Sequence, residues 1–336
     1  MPEKFKEAVV PKAHLDYAFL QDEVIENDDE FDETGVARIS MTFLVMVETL
    51  CESVWAYATN AKGFASDPWL PKKIHNDLVT VGLGVTRIVM KTDNEPAIVD
   101  LRREVSRGRE DAPTGFEDSR VGDSNSNGKI ERMIREVKGL IRTFRASLQE
   151  KIGSVVALDA PIVPWIIRHA AYVITRCKVH ECGRTSLTRM KGQKSFRPLL
   201  PFGETVMFKV PKTRRRIGDF EDRFEKGVWL GMTVQSGESI VATTDGVYRV
   251  GGVMRRAPDQ RWSAEMIQGI KGTPAEPKPG SGSDIMPTYA KHREDMKAMN
   301  YEKAPELEKA VRPAYIYKND VVEHGATADE AADRRL

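Results

Sequence analysis

Between residues 14 and 180 the apolar period switches back and forth between two, the period of a strand, and 3.6, the period of a helix. HLDYAFL (14–20) reads as a short strand with an acidic residue inside it. SMTFLVMVETLCESVWAYAT (40–59) holds two β-rich runs that turn from Thr49 to Glu52, a hairpin. Trp69, Ile74, Leu78 and Val81 fall at helical spacing over Pro68 to Val81, and Gly82 and Gly84 end that run. RIVMKTD is a compact strand, and Asn94-Glu95-Pro96 opens a helix that runs through Val99, Leu101 and Val105 to about Arg109, proline being suited to a first helical turn. Residues 110–128 are polar and rich in glycine and serine and read as a loop. Helices follow at about 128–149 and from Pro164 to Cys177. Strands that alternate with helices in this way predict an α/β fold with a mixed sheet.

From Phe202 the texture changes to short strand-like runs: GETVMFKV, KGVWLGMT, SIVATTDG and GVYRVGGVMRR, with a hairpin turn at Asp245-Gly246. They predict a small all-β barrel at about 200–262. TPAEPKPGSGSD, beyond Gly272, is a linker by composition, and the rest has few apolar residues. The expected organisation is an N-terminal tail (1–11), an α/β core (12–198) with an acidic insertion (21–38), a β module (199–265), and a linker with a mostly disordered tail (266–336).

A chain of 336 residues is long enough for two domains, at roughly 100–200 residues each. A net charge of +1 rules out wholesale basicity as an argument for nucleic acid, so local patches have to carry it. Three cysteines do not make a disulfide framework, and an intracellular setting fits. Cys177 and Cys182 flank His180, but no second pair follows, so incidental thiols are the expectation rather than a zinc site. No run of about 18 apolar residues predicts a membrane span, and the first 20 residues lack the apolar core of a signal peptide.

Three carboxylates stand out by position. Asp16 lies inside the first strand, Asp93 at the exit of a later strand, and Glu131 in the first turn of the long helix. An acid inside an apolar strand is costly unless something pairs with it. If these groups converge, a divalent cation relieves their repulsion, and oxygen donors favour Mg²⁺ or Mn²⁺. Two such ions suit phosphoryl displacement. Taken singly, Asp93 reads as a turn residue and Glu131 as a surface acid favoured by the helix dipole.

The long helix adds a second observation. Ile130, Ile134, Val137, Ile141, Phe144 and Leu148 form one apolar stripe, and Glu131, Arg135, Lys138, Arg142 and Arg145 repeat beside it at the same spacing. Four cations in line with the glutamate suit a DNA backbone, contacted without reading sequence. The plainer reading is a solvated basic face with a Glu131–Arg135 pair. Lys212, Arg214, Arg215 and Arg216 in the β module read equally as a DNA contact, a localisation signal or a solvated turn.

HLDYAF, IVMKTDNEPAI and SNSNGKIERMIREVKGLIRT, in that order, resemble the integrase catalytic core of retroviruses and copia-like retrotransposons. The resemblance covers about residues 12–262. It extends to VETLCESVWAYATNAKG, to PWIIRHAAYVITRCKVHECGRTSLTRMKGQ, and to the β module that follows the core in copia-like polyproteins. It implies an RNase H-like fold, a five-stranded mixed sheet flanked by helices followed by a small SH3-like β-barrel, with Asp16, Asp93 and Glu131 as the D,D,E triad. It implies two Mg²⁺ or Mn²⁺ ions, Asp16 and Asp93 sharing one and Glu131 with Asp16 holding the other. The implied chemistry is 3′-end processing by water, followed by attack of a DNA 3′-hydroxyl on target DNA. Asn127 and Gly128 would shape the loop before the catalytic helix. Asn127, Lys129, Arg135, Lys138, Arg142, Arg145, Arg214, Arg215 and Arg216 are the expected DNA contacts. The implied partners are retroelement ends, target DNA and further copies of the chain, without a membrane, and the implied place of action is the nucleus. The family's preceding His/Cys zinc module is not found, and Arg184-Thr185-Ser186-Leu187 stands where the family carries a proline. Alternatives are a DNA-binding relic that no longer catalyses and an RNase H-like nuclease without joining activity. Glu48 or Glu52 would serve as first ligand if Asp16 lay far from Asp93.

Overall fold

The computed structural model describes residues 10–21, 40–110, 112–119, 127–210 and 223–287. The acidic insertion from residue 22 onward, Lys212 with Arg214, Arg215 and Arg216, and the tail beyond residue 287 lie outside them.

β1 (Lys12–Gln21) is the central strand of the first sheet. β2 (Ser40–Glu48) pairs with it antiparallel and turns into β3 (Val54–Thr59). After α1 (Leu70–Thr80), β4 (Ile88–Thr92) returns on the other side of β1, parallel to it. α2 (Pro96–Arg107) leads to β5 (Thr114–Asp118), parallel to β4. The order β3-β2-β1-β4-β5 is a mixed five-stranded sheet flanked by helices, which fits the RNase H-like α/β core that the resemblance implies.

β5 lies within the segment 110–128 that the sequence reads as a loop. Thr-Gly-Phe-Glu-Asp has no apolar alternation to signal a strand. It is an edge strand held by polar contacts: Lys91 bonds Glu117 (2.8 Å), and Arg102 bonds Asp118 (2.5 Å) with its guanidinium over the Phe116 ring.

Period two sorts the side chains of the sheet. Ala13, Leu15, Tyr17, Leu44, Met46, Ile88 and Met90 pack with α1 and α2 on one side. On the other side, Ala18, Phe43, Val45, Val47, Val54 and Ala56 pack under α3 (Gly128–Ile152) and α4 (Val163–Cys177). The apolar stripe of α3 faces this core, with Ile130, Met133, Val137, Ile141 and Leu148 buried. The helix runs to Ile152 and stops at Gly153, whose positive φ (66°) suits a left-handed cap that only glycine adopts cheaply. Among the described residues, no residue of β4 or β5 belongs to the apolar cluster under α3 and α4.

α5 (Ser186–Lys191), capped by the Thr185 hydroxyl, precedes the second sheet. This sheet contains β6 (Thr205–Lys209), β7 (Phe224–Met232), β8 (Ser239–Ala242), β9 (Val247–Val250) and β10 (Val253–Arg255). The expected SH3-like barrel is replaced by an open antiparallel sheet in the order β10-β6-β7-β8-β9. Closure would need β9 to meet β10, but the outer edge of β9 is already taken. Val247 N–H donates to the carbonyl of Pro277 (2.8 Å) and Arg249 N–H to that of Pro287 (2.9 Å). One face of this sheet (Val228, Leu230, Ile240, Ala242) joins the core under α3 and α4, together with Ile267 of α6 (Ala264–Gln268). Among the described residues no helix is long and apolar enough to cross a membrane.

Candidate metal and nucleic-acid site

Parallel pairing places the two aspartates at one level. β1 and β4 are in register with Lys12 beside Val89 and His14 beside Lys91, an offset of 77 residues. Asp16 and Asp93 differ by the same 77, so the register carried two residues further sets Asp93, just past the end of β4, beside Asp16 in the middle of β1. Asp16 is half-buried, and its carboxyl is pushed up to about 6. Burial is the main cause and the charge of Asp93 the next, and Glu131 and Glu95 add to them. A hydrogen bond from the Tyr17 backbone opposes the rise. Carboxylates at the β4 exit and on α3 therefore act on the one in β1. Glu95, which the sequence reading did not single out, joins them.

The Asp93 turn is braced from below. Thr92 is fully buried; its hydroxyl donates to the Asp93 carbonyl (2.9 Å) and accepts from Arg102 Nη1 (2.8 Å). Ser119, just past β5, donates to Asn127 Oδ1 (2.8 Å) and accepts at its carbonyl from Asn94 Nδ2 (3.3 Å). Asn127 thus ties the start of α3 to the turn that carries Asp93. Glu131 lies exposed one turn on, its N–H bonded to the Asn127 carbonyl (3.1 Å).

Crowded oxygen donors in a half-buried setting have the chemistry of a hard-cation site, because the ionised forms repel one another until a cation joins them. Among the described residues, no three His, Cys, Asp or Glu side chains are yet gathered into one metal-holding group. The donor set thus fits a divalent ion by its chemistry and is not a closed coordination sphere.

The alternative first ligands have other work. Glu48 is fully buried and accepts from the N–H groups of Leu50, Cys51 and Ser53 and from the Ser53 hydroxyl, so it holds the β2–β3 turn. Glu52, at a left-handed φ of 59°, meets His180 Nδ1 (2.5 Å), Arg189 (3.4 Å) and Lys129 (3.9 Å). The other ring nitrogen of His180 bonds Ser186 Oγ (2.7 Å), so this histidine is engaged in structure between the exposed thiols Cys177 and Cys182.

On α3, Lys129, Arg135 and Arg142 are exposed and Lys138 and Arg145 half-buried. Lys138 is shifted down by burial and by the neighbouring Arg142. Arg145 differs from the rest of the ladder, since its Nε donates to the Val156 carbonyl (2.9 Å). Beside Asp16, on the same face of β1, lies His14, whose pKa is lowered to about 4, first by burial and then by Lys129, Lys91 and Lys12. Lys129 is one of the DNA contacts expected from the sequence, whereas His14, Lys91 and Lys12 are not, although stepping back two residues from Asp16 and from Asp93 leads to His14 and Lys91.

No family model matches the chain, and no curated protein matches it. Several solved structures are similar to it. A chain of the simian T-cell lymphotropic virus intasome in complex with PP2A regulatory subunit B56 gamma is 14% identical over 74% of this chain and 79% of its own, with a TM-score of 0.38. The HTLV-2 integrase catalytic core domain in complex with magnesium (trimeric form) is 13% identical over 53% of this chain and 95% of its own, with a TM-score of 0.35. The catalytic core domain of BIV integrase is 13% identical over 54% of this chain and 93% of its own, with a TM-score of 0.32.

Proposed function

We propose that this chain is a retroelement-type integrase, a polynucleotidyl transferase that cuts and joins DNA with the help of divalent metal ions. The observation that carries the reading is the Asp16 carboxyl, set on the central strand at the level of Asp93 and raised to about 6 by burial, by Asp93 and by Glu131. A structural acid on a strand would be stabilised by a cationic partner; this one is surrounded by further acids. Asp16, Asp93 and Glu131 would hold Mg²⁺ or Mn²⁺, and two such ions supply charge for an attacking and a leaving oxygen in phosphodiester displacement. Thr92 and Arg102 position the Asp93 turn, and Asn127 positions the first turn of α3. Lys129, Arg135, Lys138 and Arg142 would take the DNA backbone along α3. Arg214, Arg215 and Arg216 remain proposed DNA contacts from the β module. In this reading the partners are retroelement ends, target DNA and further copies of the chain, and the place of action is the nucleus.

The test is nicking and strand transfer on labelled DNA with Mn²⁺, comparing wild type with Asp93→Asn and Glu131→Gln. Both variants should lose at least a hundredfold in activity, a scale expected when a metal-holding or charge-stabilising group is removed. Activity untouched by both changes would refute the metal assignment. DNA binding without any cleavage by the wild type would favour a relic that keeps the fold and the basic helix, and cleavage without joining would favour a nuclease.

A further inference from the structure

The β1–β4–β5 end of the first sheet has its own charge pattern on the side of α3. By strand period, Lys12, His14 and Asp16 of β1 share one side of the sheet, and register puts Lys91 of β4 beside His14 and Glu117 of β5 beside Lys91. This is the side on which the apolar cluster under α3 and α4 takes side chains from β1, β2 and β3 and, among the described residues, none from β4 or β5. Lys129 approaches from the first turn of α3 and is among the charges that act on His14.

Among the described residues, the acids paired with these cations do not balance them one for one. Glu117 serves two ammonium groups, Lys12 on one oxygen (2.5 Å) and Lys91 on the other (2.8 Å). Lys129 has Glu52 at 3.9 Å, and that carboxylate already holds His180 and Arg189. Lys91 is only 13% exposed, so its charge sits close to the floor of the sheet instead of reaching away into water. His14 is 8% exposed, and its Nδ1 has no hydrogen-bond partner among the described residues. A surface serving only solubility would spread such charges and alternate their signs. Here three cations collect at one end of a carboxylate site, where anionic oxygens would be repelled by Asp16 and Asp93 unless something compensated them.

We infer that Lys12, Lys91 and Lys129, gathered around His14, form a phosphate seat through which a DNA strand approaches Asp16 along the polar face of β1 and β4, on a track that meets the α3 ladder at Lys129. This rests on the DNA reading above and adds residues and a path to it. Glu117 is a positioning residue: it fixes Lys12 and Lys91 in place and damps their charge.

Fluorescence anisotropy of the full chain with a labelled duplex, titrated across a range of salt without added metal, tests the seat independently of catalysis. The Lys12→Gln/Lys91→Gln double variant should bind about tenfold more weakly near 0.1 M salt, with a log–log salt slope smaller by about two. Lys91→Arg should bind like wild type, and Glu117→Gln, which keeps all three cations, should bind more tightly. If the double variant keeps wild-type affinity and slope while Arg135→Gln/Arg142→Gln weakens binding, the seat is overturned and the DNA reading stands. If the double variant does not fold, Glu117→Gln decides, and no gain in affinity overturns the seat. No salt-sensitive binding by the wild type overturns both.

Discussion

Trp165 of α4 donates its indole N–H to the carbonyl of Gly272 (2.7 Å), 107 residues further along the chain. The ring is fully buried in the core shared by α3, α4 and the second sheet. Gly272 has no room for a side chain, because a Cβ there would meet the Pro277 carbonyl at 2.0 Å. The segment after α6 is therefore strapped to the first sheet's helices before it lines the edge of β9. Trp165→Ala is expected to cost about 3–5 kcal/mol, the scale for emptying a large aromatic site. Trp165→Phe keeps most of the packing and should cost about 1–3 kcal/mol through the orphaned carbonyl. Urea denaturation followed by circular dichroism measures both, and a Trp165→Phe variant as stable as wild type would show that the hydrogen bond contributes nothing.

Asp16 makes stability depend on pH in a direction opposite to that of a salt-bridged acid. Its folded pKa of about 6 lies above the ordinary 3.8, so the folded chain keeps the proton over a range where the unfolded chain has lost it. The associated stability is present in full below pH ~4 and is lost as pH rises through about 6. Thermal melts from pH 4 to 7.5 should show that decline in wild type and a flatter profile in Asp16→Asn. Millimolar Mg²⁺ or Mn²⁺ at pH 7 should raise the melting temperature of wild type, because a cation favours the ionised form, and should raise that of Asp93→Asn less. Parallel pH profiles for wild type and Asp16→Asn would remove the electrostatic basis of the site.

What could be read in the sequence follows the physics of each element. The stripes of α3 are legible because burial and charge both repeat at the helical period, and Ile130, Val137, Ile141 and Leu148 are buried as that period requires. The level of Asp16 with Asp93 was not legible: a 77-residue separation becomes meaningful only once the parallel register is known. β5 was missed because Glu117 and Asp118 hold it through Lys91 and Arg102, and ion pairs leave no periodic trace. The barrel was expected from short strands and turns alone. Its real outer neighbour is a segment rich in Pro, Gly and Ser, whose composition reads as a linker and whose carbonyls of Pro277 and Pro287 pair with β9.

Arg102 links that edge strand to the site. It is 6% exposed and joins Thr92 of β4 to Asp118 of β5, with Phe116 beneath it. Arg102→Ala removes a buried charged donor and is expected to cost about 2–3 kcal/mol. Hydrogen exchange should quicken at β5 and at the Asp93 turn well before α4, since the damage is local. Mn²⁺-dependent nicking should fall with it, as Asp93 loses its brace. Exchange that quickens uniformly over the chain would mean that Arg102 serves global stability and not the site.

Arg142 and Arg145 lie on the same ladder of α3, yet they should respond differently to truncation. Arg142 is exposed, so Arg142→Ala should leave stability within about 0.5 kcal/mol and lower the salt slope of DNA binding by about one. Arg145 donates through Nε to the carbonyl of Val156, a residue 4% exposed in the connection from α3 to α4. Arg145→Ala leaves that carbonyl without this donor and should cost about 1–3 kcal/mol, with a smaller change in the salt slope. Denaturation and anisotropy on the same two variants separate the roles. If Arg145→Ala loses only DNA affinity and keeps its stability, the Val156 contact is incidental and the ladder has four working cations rather than three.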